Sequence, residues 1–117
     1  MRLRRIYEPA QADDGLRVLV DRLWPRGLKK EQAAVDLWLK EAAPSDELRR
    51  WFGHQSERWE EFRRRYRQEL EAAPEALSPL LERLRAGEAV TLLYAARDEA
   101  RNNAVVLREY REEQAAE

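Results

Sequence analysis

The sequence of 117 residues contains no cysteine, and this absence excludes several kinds of chemistry at once. Disulfide bonds, thiolate nucleophiles, zinc ribbons and iron–sulfur clusters all depend on cysteine. The sequence also has a single histidine, His54, which argues against a histidine-rich metal site. We therefore expect a protein that carries neither a metal ion nor a cofactor.

An excess of charge of one sign is also missing. The 22 basic and 23 acidic side chains leave a net charge of -1, whereas proteins that cover nucleic acid or anionic membranes are strongly basic. No run approaches the roughly 18 apolar residues of a membrane span, and residues 1–9 contain no hydrophobic signal region. The sequence thus predicts a cytoplasmic protein with no membrane association and without nucleic acid as its main partner; its oligomeric state stays open.

The residues that are present suffice for one modest core. Hydrophobic residues make up 44% of the chain and charged residues 38%, so we expect a single domain over residues 1–117 under a heavily charged surface. Nineteen of the 22 basic residues are arginine. Arginine suits both bidentate recognition of anions and ion-pair networks on the surface.

The order of the elements predicts an α/β layered domain. Residues 2–7 alternate in polarity, and residues 16–23 are β-branched and apolar before Trp24-Pro25 interrupts them, which favours two strands. Residues 35–39 suit a short strand or a helix. The apolar run 89–96 is typical of a strand buried on both faces of a mainly parallel sheet.

Helix signals fill the region between these strands. Start and stop residues predict helices over 45–53, 56–73 and 74–87, and Asp98 is placed to cap a last helix. On the first two helices the aromatic residues recur at helical spacing, which predicts that they belong to the core; these residues are Trp51, Phe52, Trp59, Phe62 and Tyr66. The arginines over 63–67 lie between Glu60, Glu61 and Glu69 in the sequence and predict a salt-bridged surface.

Two segments at predicted strand ends carry the residue types that could bind a ligand or catalyse a reaction. In open α/β sheets, ligands bind outside the carboxyl ends of the strands. The segment 21–27 supplies an acid, two guanidinium groups, an indole and a glycine, and the segment 94–98 is followed by two asparagines. We assign ligand binding to both segments, through Arg22, Trp24, Arg26, Gly27, Arg97, Asn102 and Asn103. The candidates for a catalytic role are Asp21, Tyr94 and Asp98.

Each residue type has a role that fits an anionic ligand. Arg22 and Arg26 offer fork-shaped donors to phosphate or carboxylate, Trp24 offers a stacking surface, and Asp21 can act as a general base or orient an arginine. A structural interpretation is equally simple. Trp24-Pro25 would close the core, and Asp21 and Arg22 would form an ion pair that locks the loop.

Two functions are consistent with these patterns. The first is a binding or enzymatic domain for an anionic small molecule, phosphate-like or nucleotide-like, held at the carboxyl ends of the strands. The alternative is a non-catalytic protein-interaction module that uses the aromatic, arginine-rich helices over 45–73. The sequence contains no Ser-His-Asp arrangement, no GxGxxG and no GxxxxGK[ST] motif. Whether the protein is an enzyme is therefore open.

The run from Arg17 to Gly27 resembles the signature of the DUF488 family of bacterial proteins, in its YeaO-like branch. The resemblance continues at residues 51–54 and 91–96 and covers essentially the whole chain. It implies a small three-layer α/β domain, in agreement with the order of elements, and it implies no assigned biochemical role.

One position departs from the pattern of that branch. YeaO-like sequences usually have Asn-His-Ala where this sequence has Asn102-Asn103-Ala104. An asparagine can form hydrogen bonds but cannot act as an acid or base near neutral pH. The departure favours a binding or structural role for Asn103 over a mechanism that requires imidazole there.

Overall fold

A computed structural model describes residues 1–116. Its sheet has four strands: β1 (Arg2–Arg5), β2 (Leu16–Leu19), β3 (Leu37–Trp38) and β4 (Val90–Tyr94). All neighbouring strands are parallel, in the order β1-β4-β2-β3. The last strand of the chain thus lies between the first two, and its five residues are all buried.

Five α-helices accompany the sheet: α1 (Lys30–Ala33), α2 (Asp46–Phe52), α3 (Trp59–Ala72), α4 (Ser78–Arg85) and α5 (Asn103–Ala116). Short 3-10 turns precede several of them. The architecture confirms the predicted α/β class with a parallel sheet. None of the helices in residues 1–116 has the length and apolar character that crossing a membrane requires.

The helices cover the two sides of the sheet unequally. On one side, the large face, side chains of β2 and β4 pack against α2 to α5 in a core that includes Val18, Leu92, Phe62, Tyr66 and Leu107. The aromatic residues predicted as core lie here: Phe52, Phe62 and Tyr66 are buried, and Trp51 and Trp59 are packed half-buried against them.

The other side, the small face, is covered by α1 and the loop after β2. Leu19 and Leu93 point to it, and Trp24, Leu28 and Trp38 pack over them. The indoles of Trp24 and Trp38 meet edge to face with centroids 5.5 Å apart. Helices and loops on both sides make the three layers, although the second layer is thin.

A buried ion pair closes the small face at the amino end of the sheet. Arg17 and Asp14 are 4% and 1% exposed, and their charged atoms lie 2.5 Å apart. The Arg17 guanidinium also donates to the carbonyls of Ala33 and Ala34, at 3.0 Å each. The Thr91 hydroxyl donates to the Asp14 carbonyl at 2.7 Å. Each charge that this end buries therefore has a partner inside the chain.

Two predicted boundaries differ from the structure. The strand predicted over 16–23 ends at Leu19, because the chain turns so that the Asp21 carboxylate, and no strand carbonyl, accepts the Ala95 N–H. The prediction that Asp98 caps the last helix is wrong. Asp98 accepts from the N–H groups of Ala100 and Arg101 and closes a separate turn, and α5 begins only at residue 103.

Candidate functional site

A pocket of about 480 Å³ opens at the carboxyl ends of β2 and β4. Most of the lining comes from three parts of the chain: the loop after β2 over residues 21–26, the end of α2 and the residues after it within 49–54, and the start of the segment after β4 together with Asn102 and Asn103. Three further residues complete it: Tyr7, Pro44 and Phe62. The two segments that the sequence singles out are thus neighbours in space. The contribution of α2 is an addition that sequence reasoning missed.

Asp21 joins the two strand ends. Its carboxylate accepts the backbone N–H of Ala95 at 2.9 Å and the side-chain amide of Asn103 at 3.1 Å. The same Asn103 nitrogen donates to the Val20 carbonyl at 2.7 Å, and the Trp38 indole donates to the Asp21 carbonyl at 2.7 Å. Both carboxylate oxygens therefore have donors from the protein itself.

The surroundings of Asp21 do not favour its negative charge. Burial of the carboxylate raises the pKa of Asp21, although the donors Asn103 and Ala95 and the nearby His54 act in the opposite direction. The pocket consequently holds one acid whose ionised form is costly. Protonation of that acid would remove the only carboxylate among the lining side chains.

Arg22 fixes the loop that leads into α2. Its guanidinium donates to the carbonyls of Pro44 at 3.0 Å and Ala43 at 3.1 Å. Trp24, which also lines the pocket, is similarly restrained. The Trp24 indole donates to the Leu28 carbonyl at 2.7 Å, so that it presents a ring of fixed orientation.

The remaining arginines of the pocket are less engaged. Arg49 is exposed and lies 3.4 Å from Asp46. Arg26 and Arg50 are exposed, and within residues 1–116 neither has an ion-pair partner. His54, with a φ of 57°, follows Gly53 in the left-handed region and lies against Phe52, with ring centroids 6.0 Å apart. The α2 side of the pocket is therefore a basic wall, formed by Arg49, Arg50 and His54.

Asn102 is one of the predicted ligand-binding residues, and it also has a structural task. It is 2% exposed, and its side-chain oxygen accepts the Val105 N–H at 3.1 Å, which makes it the N-cap of α5. Its amide nitrogen donates to the carbonyls of Asp98 at 3.0 Å and Glu99 at 3.3 Å. The side chain lines the pocket with its polar atoms already bonded.

Four predicted site residues lie outside the pocket lining. Tyr94 is 3% exposed and belongs to the large-face core, where burial raises the pKa of its hydroxyl. Arg97 and Asp98 are exposed in the turn before α5. Gly27 is exposed with a φ of 73°, and a Cβ there would meet no atom within 4 Å. Glycine at this position allows the loop to adopt its left-handed backbone conformation.

No local pattern reveals Arg49, Arg50 and His54 as pocket residues. They occupy the last turn of a helix and the residue after its Gly53 stop, which are positions where basic side chains are common. Their role depends on where the end of α2 lies relative to the sheet. That placement follows from the Arg22 bonds to the loop before α2 and from packing of α2 on the large face.

The arginines of α3, in contrast, are ion-paired with neighbouring acids. Arg64 and Arg65 both bind Glu61, and these hydrogen bonds lower the pKa of Glu61 to about 2. Arg63 binds Glu60 on α3 and Glu109 on α5, and Arg67 binds Glu113. The predicted salt-bridged surface over residues 63–67 is confirmed.

Together, the parallel sheet and the pocket at its carboxyl edge define a small α/β domain with a cavity at the strand ends. The chain belongs to the DUF488 proteins: a family model described as the inactive DUF488-N3 subclade matches residues 1–117. The resemblance stated from the sequence is thereby confirmed.

Curated relatives agree with this placement. The uncharacterised protein Rv3073c of Mycobacterium tuberculosis is 46% identical over 107 residues, which cover 92% of this chain and 89% of the relative. The uncharacterised protein YeaO of Escherichia coli is 43% identical, with 92% of each chain covered. No solved structure matches the chain.

Proposed function

We propose that this protein binds a small anion, of the phosphate type, in the strand-end pocket and does not transform it. The observation that carries the proposal is the imbalance of charge in the pocket: four arginines line it, together with a single carboxylate. That carboxylate, Asp21, is already bonded to the protein through both oxygens.

Several features favour an anion as the occupant. Guanidinium groups recognise phosphate and carboxylate through paired hydrogen bonds, and Arg26 and Arg50 have such donors to offer. The amino end of α5 also faces the pocket through Asn102 and Asn103. The dipole of this 14-residue helix favours negative charge at that end.

The lining residues argue against catalysis. They include no serine, threonine, cysteine or lysine that could act as a nucleophile. The Tyr7 hydroxyl is bonded to the Arg26 carbonyl, and the His54 imidazole has no serine or cysteine among the lining residues to activate. Of the three candidates for catalysis, Tyr94 and Asp98 lie outside the lining, and Asp21 is held by Ala95 and Asn103. The description of the family as an inactive subclade supports the same conclusion.

Thermal unfolding in the presence of anions tests the proposal. Sodium phosphate, sodium sulfate and sodium acetate are compared with sodium chloride at equal ionic strength, so that general screening cancels. A ligand at 100 times its Kd adds about 2.7 kcal/mol to the free energy of unfolding. For a chain of this length, Tm then rises by roughly 4 °C or more per kcal/mol.

Three variants locate the binding site. Arg26→Ala and Arg50→Ala remove the two pocket arginines whose guanidinium groups have neither an ion-pair nor a hydrogen-bond partner among residues 1–116, and we expect each to reduce the shift given by phosphate. Arg64→Ala is the matched control, because it removes an exposed arginine of α3 and should leave the shift intact. The absence of a shift in the wild type, or an equal shift in Arg50→Ala, would overturn the proposal.

The alternative, a protein-interaction module built on residues 45–73, has one observation in its favour. An open groove beside Trp51 is lined by Arg64, Arg65 and Glu69 among others, and the Trp51 ring has the Arg65 guanidinium 4.4 Å from its centroid. It has less support because the guanidinium groups of both arginines are already engaged in ion pairs with Glu61. The alternative would gain if Arg64→Glu abolished binding of a copurifying protein and no anion shifted the wild type.

A further inference from the structure

The large hydrophobic side chains that remain exposed are concentrated at one place. Among the residues that the structure describes, Tyr7 and Leu23 are the exposed large hydrophobics, at 42% and 56%. Both line the strand-end pocket, although they come from different loops. An apolar rim beside a basic wall is more than an anion alone requires.

The rim is held in place before any ligand arrives. The Tyr7 hydroxyl donates to the Arg26 carbonyl at 3.0 Å, and the Arg5 guanidinium lies 5.1 Å from the centroid of the Tyr7 ring. The adjoining Pro25 is buried, and Trp24 is fixed through its indole N–H. A preorganised aromatic surface binds an apolar group without a large cost in side-chain entropy.

The size of the pocket points in the same direction. A volume of about 480 Å³ lies within the range of sites that enclose organic ligands, roughly 300 to 1,000 Å³. Inorganic phosphate would fill only a small part of it. Part of the interior is apolar as well, since Phe52, Phe62, Ala95 and Ala96 contribute to the lining.

We infer that the ligand is an organic phosphate that carries an aromatic ring. The inference rests on the proposed function, because the phosphate is held by the pocket arginines. Arg26 joins the two parts of the site: its guanidinium is available to the anion, and its carbonyl holds Tyr7 at the rim. The ring of a ligand bound at Arg26 packs against Tyr7 and Leu23.

Binding of matched probes tests the inference directly. Calorimetric titration compares inorganic phosphate with phenyl phosphate, which adds one ring, and with adenosine monophosphate, which adds a larger ring on a sugar. Burial of an aromatic ring at the rim should make one of the two esters bind at least about tenfold more tightly than inorganic phosphate.

Rim variants then assign the gain to particular side chains. Tyr7→Ala and Leu23→Ala should reduce the preference for the ester to less than about threefold while affinity for inorganic phosphate is kept. Tyr7→Phe keeps the ring and loses the hydroxyl, and it should retain the preference. Circular dichroism verifies that each variant is folded.

The outcomes separate the two proposals. If inorganic phosphate binds as tightly as both esters, or if the preference survives both alanine variants, the inference about the ring is overturned and anion binding stands. If none of the three probes binds, or if Arg50→Ala binds them like the wild type, the proposed function fails and the inference fails with it.

Discussion

The two ends of the parallel sheet contain the same kinds of charged residue in opposite situations. At the amino end, Arg17 and Asp14 are buried and paired at 2.5 Å. At the carboxyl end, Arg26 and Arg50 are exposed around a pocket. The acidic residue that lines the same pocket, Asp21, accepts hydrogen bonds from a backbone N–H and a side-chain amide and does not pair with these arginines. Arginine at the first end completes the fold, and arginine at the second leaves its donors available.

The comparison shows that burial and pairing determine what an arginine does in this chain. A buried guanidinium without a partner would cost several kcal/mol, so the amino end has to satisfy its charges internally. An exposed guanidinium carries no such cost, and it adds little to stability. Unpaired arginines at a strand end are consequently better indicators of binding than the number of arginines in the chain.

The largest effect is expected from breaking the amino end. Arg17→Met leaves Asp14 buried without its closest cation, and removal of one partner of a buried pair typically costs about 3 to 5 kcal/mol. Urea denaturation measures the free energy of unfolding. A loss below about 1 kcal/mol would show that Arg4, whose Nε lies 3.3 Å from the Asp14 carboxylate, compensates for Arg17, and it would remove the contrast between the two ends.

A smaller loss of stability is expected from Asn102→Ala. The variant removes the N-cap of α5 and leaves the carbonyls of Asp98 and Glu99 without the amide donor. The expected cost is about 1 to 3 kcal/mol, measured by urea denaturation. Arg26→Ala is the comparison at the same end of the sheet, and its unfolding midpoint should stay near that of the wild type.

The smallest of the three effects concerns pH. A carboxyl group whose pKa is raised by folding binds a proton more readily in the folded state, so the stability tied to Asp21 is present at low pH and lost as pH rises through its folded pKa. Protonation also removes a negative charge from the pocket. Affinity for sulfate should therefore rise as pH falls through that pKa, by about fivefold if the charge interaction is near 1 kcal/mol.

Variants isolate the contribution of Asp21 to this pH dependence. The titration is made in a His54→Gln background, because His54 lies close enough to influence the same pocket. Asp21→Asn in that background should flatten the profile between pH 4 and pH 7, a range that lies above the ordinary pKa of about 3.9 because folding raises the pKa of Asp21. An unchanged slope would assign the pH dependence to another group.

Local patterns predicted much of the fold. The apolar run over 89–96 and the β-branched run from residue 16 became the two central strands. Ser45 caps α2 through the Leu48 N–H, and Gly53 ends that helix, as their residue types predict. Such patterns report burial and termination, which are properties of a residue and its near neighbours.

The same local patterns predicted less of the candidate site than of the fold. Strand-end position identified Asp21, Arg26 and Asn103, because the carboxyl ends of parallel strands meet at one edge of the sheet. It could not identify Arg50 or Tyr7, which reach the pocket from elements whose placement depends on long-range packing. The residues 97–98, close to a strand end in sequence, turn away from the pocket before α5 begins.

The central position of β4 affects how the protein folds during its synthesis. Both β1 and β2 pair with β4, for example Leu3 with Leu92. During synthesis these pairs can form only after residues 90–94 have been made, when most of the chain is complete. Synthesis from the amino end leaves both early strands with unpaired edges during that interval. Pairings between residues so far apart in sequence form slowly. We therefore expect the sheet to form late in folding, when β4 pairs with β1 on one side and with β2 on the other.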